Sequence, residues 1–241
     1  MKYSFNVFNE NILTRKFGGT TFGIAEPYVT GYHFIWFEVL PPDLITYLGS
    51  EVDSGIDGEA MIKKILAGTC LSVTPPGGTL NKVELTGLGG VKWAVPGNID
   101  YGNTVSVKFL EMSKTPILNI MHCWVKMIRD YRTGVAHPGV LESGDDGAGY
   151  QKNKYGATMY YWTTAPDGKT IEYYACYDGM FPAKDPSDLY TSDVETVGKL
   201  DIEVEFNVDY AWRELWVKDK CKSFQDTFEA GRDAVYSYGS K

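Results

Sequence analysis

Along residues 199–210, Leu200, Ile202, Val204, Phe206, Val208 and Tyr210 alternate with Asp201, Glu203, Glu205, Asn207 and Asp209. Successive strand side chains point to opposite faces, so the alternation predicts a strand with one apolar face and one face on which four carboxylates follow Lys199 with no base among them. Two readings of the acidic face stand side by side. One is the solvated outer side of a half-buried antiparallel strand; the other is a surface that faces something anionic without adhering to it. Tyr32 to Leu40 has a different pattern, apolar and bulky on both faces. It predicts a strand covered on both sides and stopped by Pro41 and Pro42. Residues 42–49 then read as a short helix closed by Gly49, and Glu59 to Ala67 as another, with Met61, Ile62, Ile65 and Leu66 on one face and Gly68 at its end.

Strand patterns follow at Cys70 to Thr74, Asn81 to Leu88 and Thr104 to Leu110, and turn formers between the last two predict a long loop over 89–103. Loops of that length in a compact domain are functional or ordered by a partner. Pro116 opens the clearest helix. Ile117, Ile120, Met121, Trp124 and Ile128 recur at helical spacing, with Ser113 or Thr115 placed to cap the start. Burying those five side chains contributes roughly 7–15 kcal/mol before entropy, so this helix is core and packs on a sheet. After a loop-like stretch from His137 to Tyr155, Ala157 to Thr164 and Thr170 to Tyr177 read as two aromatic strands joined by the hairpin connection 165–169. Trp212, Leu215, Trp216, Phe224 and Phe228 mark a C-terminal helix or arm, partly apolar, of a kind that often packs on another subunit.

Together these elements predict a mainly β fold with α (α+β). It is an antiparallel sandwich or barrel with one main flanking helix, extra short helices and a C-terminal arm. The domain spans 1–212, with insertions near 41–68 and 137–155, and the arm spans 213–241. The chain has 241 residues, 44% hydrophobic and 14% aromatic with 17 tyrosines, enough for a substantial core and well suited to sheets and interfaces. Its formal net charge of −8 argues against nucleic-acid binding and against attraction to an anionic membrane. No secretory leader or transmembrane segment is legible, which predicts folding in a cytoplasm. Cys70, Cys123, Cys176 and Cys221 lie 45 to 53 positions apart with no Cys-x-x-Cys, predicting reduced, interior thiols.

Catalytic and metal-binding chemistry finds little support. His33, His122 and His137 have no carboxylate or cysteine at ligand spacing, and read as two structural histidines and one surface histidine. The Gly-Asp-Asp-Gly run at 144–147 lacks the alternating ligands and distal Glu of a calcium loop. No glycine pattern opens a nucleotide-binding helix. Glu203 and Glu205 are spaced like the carboxylate pair of a glycosidase, but an unbroken run of acids singles out no two. No cofactor, metal or catalytic residue is therefore expected.

Three features carry a resemblance to a known family. Residues 96–111, Pro-Gly-Asn-Ile-Asp-Tyr-Gly-Asn-Thr-Val-Ser-Val-Lys-Phe-Leu-Glu, run from a turn-rich loop through an extended strand into the amphipathic helix. A strand ends in Tyr177-Asp178-Gly179-Met180-Phe181-Pro182, and a polar segment from Ser187 to Val197 leads to the final acidic strand. Over residues 80–212 the chain resembles the tail-tube proteins of long-tailed bacteriophages, whose fold is shared by the type VI secretion tube and by baseplate tube-initiator rings. The resemblance implies a non-enzymatic virion protein, assembled in the host cytoplasm into stacked hexameric rings. Its partners would be further copies of itself, with sheath, tape-measure and baseplate proteins. Genome DNA would pass through without specific binding. Asp201, Glu203, Glu205 and Asp209 would then line the channel, and Gly89, Gly90, Pro96, Gly97, Asn98 and Tyr101 would sit in the inter-ring loop. A baseplate ring of the same fold is one alternative. The other is a carbohydrate-binding or carbohydrate-active β-sandwich, motivated by Tyr160, Tyr161 and Trp162 read as exposed aromatics.

Overall fold

The computed structural model describes residues 16–17, 20–21, 31–51, 56, 58–86, 92–130, 132–136, 151–189 and 199–238, with side chains omitted at 16–21, 50–51, 189 and beyond 228. The strands are β1 (Lys16–Phe17), β2 (Thr20–Thr21), β3 (His33–Val39), β4 (Cys70–Thr74), β5 (Gly78–Thr86), β6 (Lys92–Tyr101), β7 (Thr104–Leu110), β8 (Ala157–Thr164), β9 (Ile171–Pro182), β10 (Asp201–Asn207) and β11 (Tyr210–Trp212). The helices are α1 (Leu44–Glu51), α2 (Glu59–Thr69), α3 (Pro116–Ile128), α4 (Lys152–Tyr155) and α5 (Leu215–Tyr238). One antiparallel sheet runs β3-β8-β9-β10-β7-β4, with β11 also paired to β9, while β5 and β6 form a separate two-stranded hairpin. The terminal strands β3 and β4 come close to one another, so the sheet curls into an open barrel. The fold is α+β and mainly antiparallel β.

Alternation explains the inner face. Ile35 and Phe37, Met159 and Tyr161, Ala175 and Tyr177, Ile202, Val204 and Phe206, and Val105, Val107 and Phe109 all enter a single core. Helices α1, α2 and α3 pack on that side and contribute Leu44, Leu48, Ile62 and Leu66. On α3 the predicted residues Ile117, Ile120, Met121 and Trp124 are fully buried, while Ile128 is half-buried at the margin. Leu118, Cys123 and Met127 are buried as well, because α3 lies between the sheet and α1 and is covered on more than one side.

The other side of β3, β8 and β9 is covered too. Val217, Cys221, Phe224 and Phe228 of α5 pack on Phe34, Trp36, Tyr160, Trp162, Tyr174 and Cys176. Trp36 meets Phe228 edge-on at 5.2 Å, and Trp162 stacks on Phe228 at 6.2 Å. This accounts for the two-sided apolar character of β3. It also means that the first half of the C-terminal arm packs on its own domain. Lys220 reaches back to Glu38 at 2.9 Å. Burial works to raise the pKa of Glu38, but the hydrogen bonds from Lys220 and Tyr160 together outweigh it and hold the carboxyl below its usual range.

Several boundaries differ from the sequence reading for identifiable reasons. Helix α1 continues through Gly49 to Glu51, and α2 through Gly68 to Thr69. Neither glycine adopts the left-handed backbone that ends a helix, and α2 passes straight into β4 through extended Cys70. The stretch 89–103, expected as a loop, contains β6 from Lys92 to Tyr101, paired with β5 on both sides of a bulge at Gly97 and Asn98. Strand β9 runs on through Gly179 to Pro182 instead of stopping at Tyr177. Neither Ser113 nor Thr115 caps α3. Lys114 and Thr115 take left-handed backbone, with φ of 70° and 49°, and the carboxylate of Glu111 caps the helix instead. It accepts the N–H groups of Met112, Ile117 and Leu118 at 2.9, 3.1 and 2.9 Å. We expect Glu111→Ala to cost about 1–2 kcal/mol, lowering Tm by about 2–8 °C in a domain of this size. Glu111→Gln should fall between, and a thermal melt of the three proteins checks both.

Candidate functional site

The acidic strand lies between β9 and β7, at the start of the half of the sheet that no described helix covers on its outer side. Ile202, Val204 and Phe206 point into the core, and Asp201, Glu203 and Glu205 project outward. Antiparallel register sets Glu203 opposite Lys108 and Glu205 opposite Ser106 on β7, and β4 adds Ser72 and Thr74 beyond them. The Ser106 hydroxyl donates to Glu203, and Lys108 Nζ lies 3.1 Å from Asp201. The face is thus acidic but takes a base, Lys108, from the neighbouring strand, which the run 199–210 does not reveal. The signal for it was in the alternation of β7, which puts Ser106 and Lys108 on the same side. Exposed cross-strand pairs of this sort are worth little to stability, so the face is free to be selected for charge.

Asp209 stands apart from that row. After Val208 the chain bends, and the Asp209 carboxylate pairs with Lys152 at 2.8 Å while its N–H donates to the Asp178 carbonyl. Lys152 lies 4.4 Å over the Phe181 ring. Across the bend, Gly179 has φ +66°, and a Cβ there would stand 2.5 Å from Asp209 Oδ2. Only glycine satisfies both the backbone conformation and the contact. Asp209 therefore pins a corner where β10 gives way to β11.

The second surface is the β5–β6 hairpin. It leaves the domain at a tight base, where the Gly102 N–H donates to the Gly77 carbonyl at 2.7 Å, and it extends about 30 Å at 3.3 Å per residue. Val83 pairs with Val95, Leu85 with Trp93 and Leu80 with Ile99, and all six are exposed. Only its two strands pack on each other to any extent among the described elements. Of the residues expected in an inter-ring loop, Pro96, Gly97, Asn98 and Tyr101 lie on β6, and Gly89 and Gly90 lie outside the described residues. Pro96 and Gly97 mark a register shift, where a Cβ on Gly97 would meet the Asn81 carbonyl oxygen at 3.1 Å.

Other candidate chemistry resolves into packing. Tyr160 and Trp162 lie beneath α5 and Tyr161 faces the main core, so none of the three is an exposed platform for a sugar. His33 is exposed at the start of β3, not buried, and His137 and residues 144–147 lie outside the described residues. His122 is half-buried on α3 and meets Asp185 at 2.6 Å. Burial works to raise the Asp185 pKa, but hydrogen bonds from Ser187 and His122 outweigh it and hold the carboxyl low. None of the four thiols is in a disulfide, and burial pushes those of Cys70, Cys176 and Cys221 up to about 12, far from reactive. Among the described residues no group of three His, Cys, Asp or Glu is placed to hold a metal, and no helix is long and apolar enough to cross a membrane.

No protein-family model and no curated protein matches the chain. Among solved structures it is similar to a chain of the sheath/tube terminator of PVC, an extracellular contractile injection system, in the extended state. The two share 10% identity with a TM-score of 0.44, covering 78% of this chain and 97% of that one. It is also similar to a chain of the anti-feeding prophage tube-terminating cap, at 10% identity and a TM-score of 0.46, covering 81% and 95%. A chain of the anti-feeding prophage baseplate is similar at 8% identity and a TM-score of 0.43, covering 78% and 96%.

Proposed function

We propose that this chain is a structural subunit of a tail tube, which assembles with copies of itself into stacked hexameric rings around a channel for DNA. The observation that carries the proposal is the β5–β6 hairpin. A two-stranded hairpin in water is marginal by itself, yet this one holds apolar pairs away from the domain, so a partner has to complete it. The resemblance over residues 80–212 makes that partner another copy, with Pro96, Gly97, Asn98 and Tyr101, together with Gly89 and Gly90, near the contact between rings. The role uses no catalysis and no cofactor. It places the protein in a virion tail assembled in the host cytoplasm, beside sheath, tape-measure and baseplate proteins.

In this reading Asp201, Glu203 and Glu205 face the channel, and Asp209 secures the corner beside them. DNA carries about one negative charge per 1.7 Å of axis, so a basic wall would hold the genome in place. An acidic wall repels it, and screening over about 8 Å at physiological salt confines the repulsion to near contact. The test is electron microscopy of the purified protein, followed by the triple variant Asp201→Lys, Glu203→Lys, Glu205→Lys. Wild type should form rings or tubes; monomers alone would sink the assembly. The triple variant should assemble but retain DNA in a salt-sensitive way, and normal DNA delivery by it would rule out the channel role of these carboxylates.

A further inference from the structure

A second apolar surface is left open at the end of the sheet. Tyr210 and Trp212 on β11 stack at 5.7 Å, and Leu215 and Trp216 follow at the start of α5. The four are 38% to 73% exposed, whereas Val217, Cys221, Phe224 and Phe228 further along α5 pack on the sheet. Clustered exposed aromatics of this kind mark interaction surfaces rather than ordinary solvent-facing positions. The ridge adjoins a cleft of about 770 Å³ between β11 and the base of the hairpin, bordered by Gly78, Tyr101 and Gly102 on one wall and Tyr210 and Ala211 on the other.

We propose that this ridge is the acceptor for the β5–β6 hairpin of a second copy of the chain, which rests on the assembly reading above and names the surface that completes it. Among the described residues the hairpin pairs and this ridge are two uncovered apolar surfaces, and the pairs of the chain's own hairpin do not reach its own ridge. Val83 and Val95 stand five residues beyond Gly78, about 16 Å from the base at 3.3 Å per residue, whereas the ridge lies beside that base. Folding back would break the Gly77–Gly102 hydrogen bond and the register above it. The areas also match. At 150–250 Å² per large side chain, the exposed fractions of the ridge offer roughly 400 Å², and those of Val83, Leu85, Trp93 and Val95 roughly 300 Å². Interfaces are only about 57% apolar, so this corresponds to about 1,200 Å² in all, the lower bound for a specific stable contact. Donor and acceptor are different surfaces, so each copy gives its hairpin to one neighbour and receives another's on its ridge. That head-to-tail geometry is the one that builds rings or filaments.

Complementing variants test it. Trp212→Ser with Trp216→Ser removes the acceptor, and Trp93→Ser with Val95→Ser removes the donor. All four side chains are substantially exposed, so both proteins should keep the wild-type circular dichroism and melt. Each variant alone should self-associate about thirtyfold more weakly or worse by sedimentation, as expected for interface tryptophans. Mixed one to one, they retain a single good donor and a single good acceptor per pair, and should form a dimer and nothing larger. If the ridge variant assembles like wild type while the hairpin variant does not, the ridge is excluded and the assembly reading survives. A wild-type protein that stays monomeric at high concentration removes both.

Discussion

Trp124→Ala is expected to destabilise the domain by about 3–5 kcal/mol, among the largest losses any single side chain here would produce. Trp124 is fully buried on α3, and its ring lies 6.0 Å from that of Phe206 on β10. It thereby ties the helix to the inner side of the acidic strand. Its indole N–H donates to the Tyr155 carbonyl at 2.8 Å, so the truncation also strips a partner from α4. The cavity and the lost hydrogen bond act together. For a domain of this size, Tm should fall by about 6–20 °C. Trp124→Phe keeps most of the packing and loses only the hydrogen bond, and should cost about 1–3 kcal/mol. Calorimetry of the three proteins separates packing from hydrogen bonding; a fall of less than about 3 °C for the alanine variant would mean that Trp124 does not tie α3 to the sheet.

The second large effect is on assembly and should leave stability untouched. Joining Gly77 to Gly102 through a two-residue Gly-Ser turn excises β5 and β6. The two glycines are already hydrogen-bonded at 2.7 Å, and β4 and β7 pair below them, so the junction requires little rearrangement. The excised strands bury nothing of the main core. The shortened protein should therefore melt within about 4 °C of wild type and remain monomeric at concentrations where the full chain forms rings. Sedimentation and microscopy on the same sample read both properties. Persistent rings would show that the hairpin is not the assembly element, and an unfolded product would show that it belongs to the core after all.

The parts of the fold visible in the sequence share one property. For α3, β7 and β10, the face that a residue occupies follows from the local period of 3.6 or 2 alone, and burial in the tertiary structure agrees with it. Residues 92–101 read as loop in the sequence because Pro96, Gly97 and Asn98 are turn formers by composition, whereas in the fold they mark a bulge in a strand held by β5. The aromatic strands were ambiguous for another reason. Tyr160, Tyr161 and Trp162 sit on consecutive positions, and such a run is either exposed on one side or covered on both. Only the position of α5 decides between the two.

What the amino-acid order determined by itself was a chain of short-range facts. It set the apolar face of each strand, the core stripe of α3, and an outward row of carboxylates on β10, because neighbouring side chains report their own periodicity. The tertiary structure alone decided the long-range ones: that Lys108 joins the acidic row, that Asp209 leaves it for Lys152, that Glu111 rather than a hydroxyl caps α3, and that the hairpin and the Trp212 ridge stay uncovered. Each depends on residues far apart in the chain or on a bend at a particular backbone angle. A pattern read along one strand carries no information about which strand will lie beside it.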